Sequence, residues 1–68
     1  MNEETFNLSL RKFLKTVGVS SQREIEQAVA AAISDGRIRG NETLPARMTL
    51  VVEGLKLEVG FDVDIQLE

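Results

Sequence analysis

Three carboxylates lie where they could bind a hard metal ion. Glu58, Asp62 and Asp64 share one face of a predicted strand, and carboxylate oxygens suit Mg²⁺ or Ca²⁺. Same-face neighbours on a strand lie about 6.5–7 Å apart, and no glycine-rich ligand loop accompanies them. The pattern therefore favours a solvated sheet face whose charges discourage edge pairing, and we predict no metal site.

A second candidate is an anion site in the segment from Asp35 to Asn41, where two glycines and two arginines could surround a phosphate. The segment matches neither a Walker A motif nor a dinucleotide fingerprint, because no predicted strand precedes it and no predicted helix follows it. Gly36 is better explained as the end of a helix and Gly40 as a turn. We therefore predict no cofactor.

The composition removes most catalytic chemistry. The 68 residues contain no His, Cys, Trp or Tyr, which excludes a histidine-based triad, a cysteine nucleophile and a zinc site with nitrogen or sulfur ligands. The remaining acid–base groups form no recognisable constellation, and a chain this short has little room to enclose a pocket. We predict that the protein is not an enzyme.

Nucleic-acid binding is the alternative function that the sequence leaves open. A helix, a short turn at residues 17–20 and a second helix resemble a helix-turn-helix, with side chains such as Arg23 and Gln27 facing the bases. Residues 20–35, however, contain one Arg against Glu24, Glu26 and Asp35. A helix of that sign is repelled by phosphates, so nucleic acid is possible as a partner but disfavoured.

Charge segregation favours a protein-interaction module instead. The net charge is −3, but residues 11–47 carry seven basic groups against four acidic ones, and residues 48–68 carry one against five. Faces of opposite sign suit an unidentified protein partner or a second copy, so a homo-oligomer is possible. The predicted interaction surface comprises Arg11, Lys12, Lys15, Arg23, Gln27, Arg37 and Arg39.

Two hydrophobic periods predict the elements that position these residues. Apolar residues recur at helical spacing, with Gly18 as the end of the first helix, and predict helices over 3–17 and 21–34. A loop follows at 40–46. Strict alternation then predicts strands over about 47–53, 55–59 and 61–67, with a bend or break near Gly60. The predicted fold class is α+β, with two N-terminal helices packed on a C-terminal two- or three-stranded antiparallel sheet (ααββ or ααβββ).

The same features predict a single domain over residues 1–68 in the cytoplasm. The first residues, Met1 to Glu4, are acidic rather than basic, and no apolar segment approaches the ~20 residues that span a bilayer. We expect no membrane association. A domain of this size without disulfides is marginally stable, which makes self-association a reasonable expectation.

One resemblance to known proteins can be placed. The segments from Arg11 to Val19 and from Ser21 to Glu26, together with Phe6, look like a family of short bacterial proteins of unassigned function. The similarity covers about the first 40 residues. The resemblance implies a stand-alone bacterial protein and supplies no activity, ligand or catalytic residue.

Overall fold

The computed structural model describes all 68 residues and has an α+β composition of elements. Helix α1 spans Glu3–Ser34, strand β1 spans Thr43–Val52, and strand β2 spans Leu57–Gln66. A 3₁₀ turn at Glu53–Leu55 joins the two strands. The chain divides into two compact units, Met1–Arg37 and Ile38–Glu68, and each unit is described by itself. The single domain stays a prediction.

Both ends of α1 have side-chain or backbone caps. The Asn2 side chain accepts a hydrogen bond from the Thr5 backbone N–H at 3.0 Å, which satisfies a donor that the helix itself leaves free. At the other end, the Arg37 N–H donates to the Ala32 carbonyl and the Gly36 N–H donates to the Ile33 carbonyl. Gly36 has a φ of +80°, so this is a Schellman ending, in which a left-handed glycine closes the helix.

The prediction of two helices, 3–17 and 21–34, is wrong: α1 is one continuous helix of 32 residues. Gly18 does not end a helix, and it has no left-handed φ. The physical reason is that the apolar positions on both sides of Gly18 keep the same phase. Leu14 and Ile25 are 11 residues apart, as are Val17 and Ala28, and 11 residues correspond to about three helical turns. One helix therefore presents one apolar stripe.

The strands form a two-stranded antiparallel hairpin whose two faces differ completely. In the register Met48 lies opposite Phe61 and Arg47 lies opposite Asp62. Side chains alternate between faces along a strand, so every second pair shares a face. The face that includes Met48 is apolar throughout and is called the apolar hairpin face. It consists of Leu44, Ala46, Met48, Leu50, Val52, Leu57, Val59, Phe61, Val63 and Ile65.

The strand predictions are wrong about the break at Gly60 and about the length of the loop before β1. Predicted strands 55–59 and 61–67 merge into β2, which runs through Gly60 without a break, so there is no third strand. The Arg47 guanidinium lies over Gly60 and occupies the space that a β-carbon would take. The predicted loop 40–46 is too long, because β1 begins at Thr43 and includes Pro45. The turn after β1 places Lys56 in the left-handed region with a φ of 52°.

Neither unit contains a buried side chain. A single helix and a two-stranded hairpin are each one layer thick, and a single layer cannot enclose a core. The apolar side chains of each unit therefore remain at its surface.

Candidate interaction surface

Five of the seven residues of the predicted interaction surface lie on α1. At about 100° per residue, Arg11, Lys15, Lys12, Arg23 and Gln27 spread over roughly 160° of the helix circumference. Two pairs are neighbours at i and i+4, namely Arg11 with Lys15 and Arg23 with Gln27. The structure thus places these side chains as two small groups along one broad side of α1.

The remaining two residues lie on either side of the division between the units. The Arg37 Nε donates to both carboxylate oxygens of Asp35, at 2.9 Å and 3.1 Å. Both side chains are more than half exposed, so the pair contributes little to stability. Arg39 lies before β1 and donates its backbone N–H to the Glu42 carboxylate.

The segment considered as an anion site binds a carboxylate of its own chain, that of Glu42, which follows the segment directly. The backbone N–H groups of Arg39 and Gly40 donate to the Glu42 carboxylate at 2.8 Å and 2.9 Å. These hydrogen bonds, the one from Arg39 first, lower the pKa of Glu42 below its ordinary value. Two backbone donors of this segment are therefore occupied by the Glu42 side chain.

The carboxylates considered as metal ligands lie on the polar face of the hairpin. Asp62 pairs with Arg47 across the strands at 3.5 Å. Glu58 and Asp64 lie on the same face of β2, and no group of three carboxylates is close enough to share an ion. The face carries an exposed ion pair and spaced negative charges.

The turn on which the helix-turn-helix interpretation depended is absent. Residues 17–20 are helical and continue α1, so Arg23 and Gln27 lie in the middle of a long helix rather than at the start of a recognition helix. The structural premise for reading bases with these side chains is therefore wrong.

The surface that sequence reasoning missed is the apolar hairpin face. None of its ten residues is ionisable, and none is buried. At its centre Met48 is 44% exposed and Phe61 is 53% exposed, and the adjacent Val63 is 71% exposed. The alternation of apolar residues in β2 predicts half of this face from the sequence. Pro45 indicated a loop, so the alternation of Leu44 and Ala46 in β1 did not indicate a strand.

A second apolar surface runs along α1. Its members follow spacings of four, three, four, four, three and four residues, which keep them within about 80° of one another around the helix. This helix stripe consists of Leu10, Leu14, Val17, Ser21, Ile25, Ala28 and Ala32. Ser21 is its only polar member. Charged residues recur along α1, and no part of it is both long enough and apolar enough to cross a bilayer.

The whole chain, residues 1–68, matches a family of unknown function, DUF6494. The chain belongs to this family. The match extends through the hairpin and so goes beyond the first 40 residues on which the resemblance depended. No curated protein and no solved structure matches the chain.

Proposed function

We propose that this member of the DUF6494 family is a protein-interaction module that self-associates through its apolar surfaces. The observation that supports the proposal is the apolar hairpin face, in which ten apolar side chains lie together and none is buried. Soluble monomers rarely expose apolar patches of more than a few hundred Å², and larger patches mark interaction sites.

The energetics of a small chain support the same proposal. Each Å² of apolar surface removed from water contributes about 25 cal/mol, but neither unit buries a side chain within itself. A chain of 68 residues has little other means of offsetting its conformational entropy without disulfides or a metal. Association would supply the missing burial, because folding and binding are linked.

The proposal contains no catalytic step and no cofactor. It includes a cytoplasmic setting, which a composition without cysteine permits. Nucleic-acid binding is not proposed, because the basic residues of α1 spread over a broad arc and the recognition turn is missing. An unidentified protein partner would bind the same apolar surfaces and would compete there with the second copy of the chain.

Sedimentation equilibrium of the nuclease-treated protein tests the proposal. We expect a mass above 7.5 kDa that rises over about two decades of concentration. We also expect association to survive added salt, because burial of apolar surface is not screened. A protein that stays monomeric at every concentration would contradict self-association. Association that disappears after nuclease treatment or in high salt would point to nucleic acid instead.

A further inference from the structure

We propose that two copies of the chain pair face to face through the apolar hairpin face, with Met48 and Phe61 at the centre of the contact. The inference rests on the proposed self-association and names the surface that carries it. The alternatives are pairing through the hairpin edges and pairing through the helix stripe.

The hydrogen-bond pattern of the hairpin shows which backbone groups are free. The Leu67 N–H donates to the Glu42 carbonyl at 3.1 Å, next to the Thr43–Gln66 pair. Hydrogen-bonded pairs alternate along an antiparallel ladder, so they coincide with the pairs of the apolar hairpin face. The residues of the polar face therefore direct their N–H and C=O groups outward at both edges.

Both edges are poor docking sites for a further strand. Pro45 is one of the outward-directed residues of β1 and has no N–H to donate. On β2 the outward positions include Glu58, Asp62 and Asp64, so a second β2 placed alongside would bring carboxylates next to carboxylates. The features that protect the edges leave the apolar face as the open surface of this unit.

The charge distribution makes that face the one through which a second copy can approach. The chain has a net charge of −3, so two copies repel each other in most orientations. The apolar hairpin face contains no ionisable group, and the carboxylates of β2 lie on the opposite face. Face-to-face pairing therefore keeps the negative charges of the two copies on the outer surfaces of the sandwich.

The shape of the face also suits a two-fold contact. Each strand contributes five residues, and the third residue of each is Met48 or Phe61. A two-fold axis that lies between the two faces, parallel to the sheets and over their centres, would bring these side chains together. Phe61 would then be an aromatic anchor at the centre of the contact, where interfaces concentrate their binding energy. Sheets packed in this way lie about 10 Å apart.

The area is sufficient for a specific but reversible dimer. Phe61, 53% exposed, contributes on the order of 100 Å² and the smaller side chains about half as much, so two faces remove on the order of 1,000 Å². That value lies at the lower limit for specific interfaces. We therefore expect a dimer that dissociates on dilution.

A pair of matched substitutions tests the location of the contact. Val63→Thr keeps the shape and strand preference of the side chain but places a hydroxyl on the apolar hairpin face, where pairing would desolvate it. Val51→Thr makes the same change on the polar face, where Val51 is 51% exposed. We expect Val63→Thr to raise the dimer dissociation constant at least tenfold and Val51→Thr to leave it within about twofold.

Cross-linking tests the same contact without relying on stability. The natural chain has no cysteine, so a single introduced thiol reports one position. A short bismaleimide should link Met48→Cys chains into covalent dimers and should not link Thr49→Cys chains, because Thr49 lies on the polar face. Comparable linkage of both variants, or none of either, would overturn face-to-face pairing.

The two proposals fail in different ways. A monomer at all concentrations removes the proposed self-association and this inference together. A different outcome separates them. If the protein associates, but Val63→Thr and Val51→Thr have the same dimer dissociation constant and Met48→Cys chains are not cross-linked, the hairpin face is excluded as the contact. Self-association itself then stands.

Discussion

Replacing Gly18 with alanine should stabilise the protein. Gly18 lies in the interior of α1, where glycine costs roughly 0.5–1 kcal/mol relative to alanine because of its greater freedom in the unfolded chain. An added β-carbon would meet no atom within 4 Å, so no clash offsets the gain. The free energy of unfolding should therefore increase by about 0.8 kcal/mol, or about 3–6 °C in Tm for a chain of this size.

Thermal and denaturant unfolding followed by far-UV circular dichroism measures the effect. All variants must be compared at one protein concentration, because association makes Tm concentration-dependent. Gly36→Ala is the matched control: Gly36 has a φ of +80°, and a side chain in that region costs about 1–2 kcal/mol. The same substitution should therefore stabilise at residue 18 and destabilise at residue 36.

The sign of the Gly18 result decides between two structures. If Gly18 ended a first helix in a left-handed conformation, alanine there would lower the free energy of unfolding by about 1–2 kcal/mol, as at Gly36. A loss of that size in Gly18→Ala would refute a continuous α1.

Three further substitutions test local features. Asn2→Ala should lower the free energy of unfolding by about 1 kcal/mol, since it removes the acceptor for the Thr5 N–H; denaturant unfolding measures this, and Asn2→Ser should retain most of the stability. Lys56→Gly should raise the free energy of unfolding by about 0.5–1 kcal/mol, because residue 56 has a φ of 52° and glycine adopts that conformation without strain. An unchanged free energy of unfolding would contradict a left-handed conformation at residue 56. The lowered pKa of Glu42 means that its contribution is complete above its ordinary value of 4.5 and is lost as pH falls through the lower folded-state value. An acid titration of stability should therefore be flatter for Glu42→Gln than for the natural chain.

The hairpin was the more predictable half of the fold. Alternation from Leu57 to Ile65 fixed which residues of β2 share a face, because side chains alternate along any strand. Gly60 was expected to interrupt this strand, yet it pairs with Thr49 and is covered by the Arg47 side chain. That long-range contact is invisible in a local pattern.

The wrong predictions for the helix and for β1 have the same cause. Gly18 and Pro45 each suggested the end of an element, whereas the hydrophobic period of the neighbouring residues continues past both. Glycine inside a helix costs about 1 kcal/mol, but the apolar stripe keeps its phase across Gly18, from Leu10 to Ala32. Pro45 suggested a loop, but at an outward-directed edge position its missing N–H removes no hydrogen bond within the hairpin. The predicted interaction surface of basic residues has a different origin, the segregation of charge along the chain, and it stays a prediction.

The spacing of the helix stripe has a further consequence for the geometry of any surface packed along it. A seven-residue apolar repeat falls short of two full turns and makes packed helices wind in a left-handed supercoil. The stripe of α1 instead repeats after 11 residues, from Leu10 to Ser21 to Ala32, which slightly exceeds three turns. Helices that pack along such a stripe wind slowly around each other in the right-handed sense. A helix packed on the stripe of α1 would therefore run nearly parallel to it from Leu10 to Ala32.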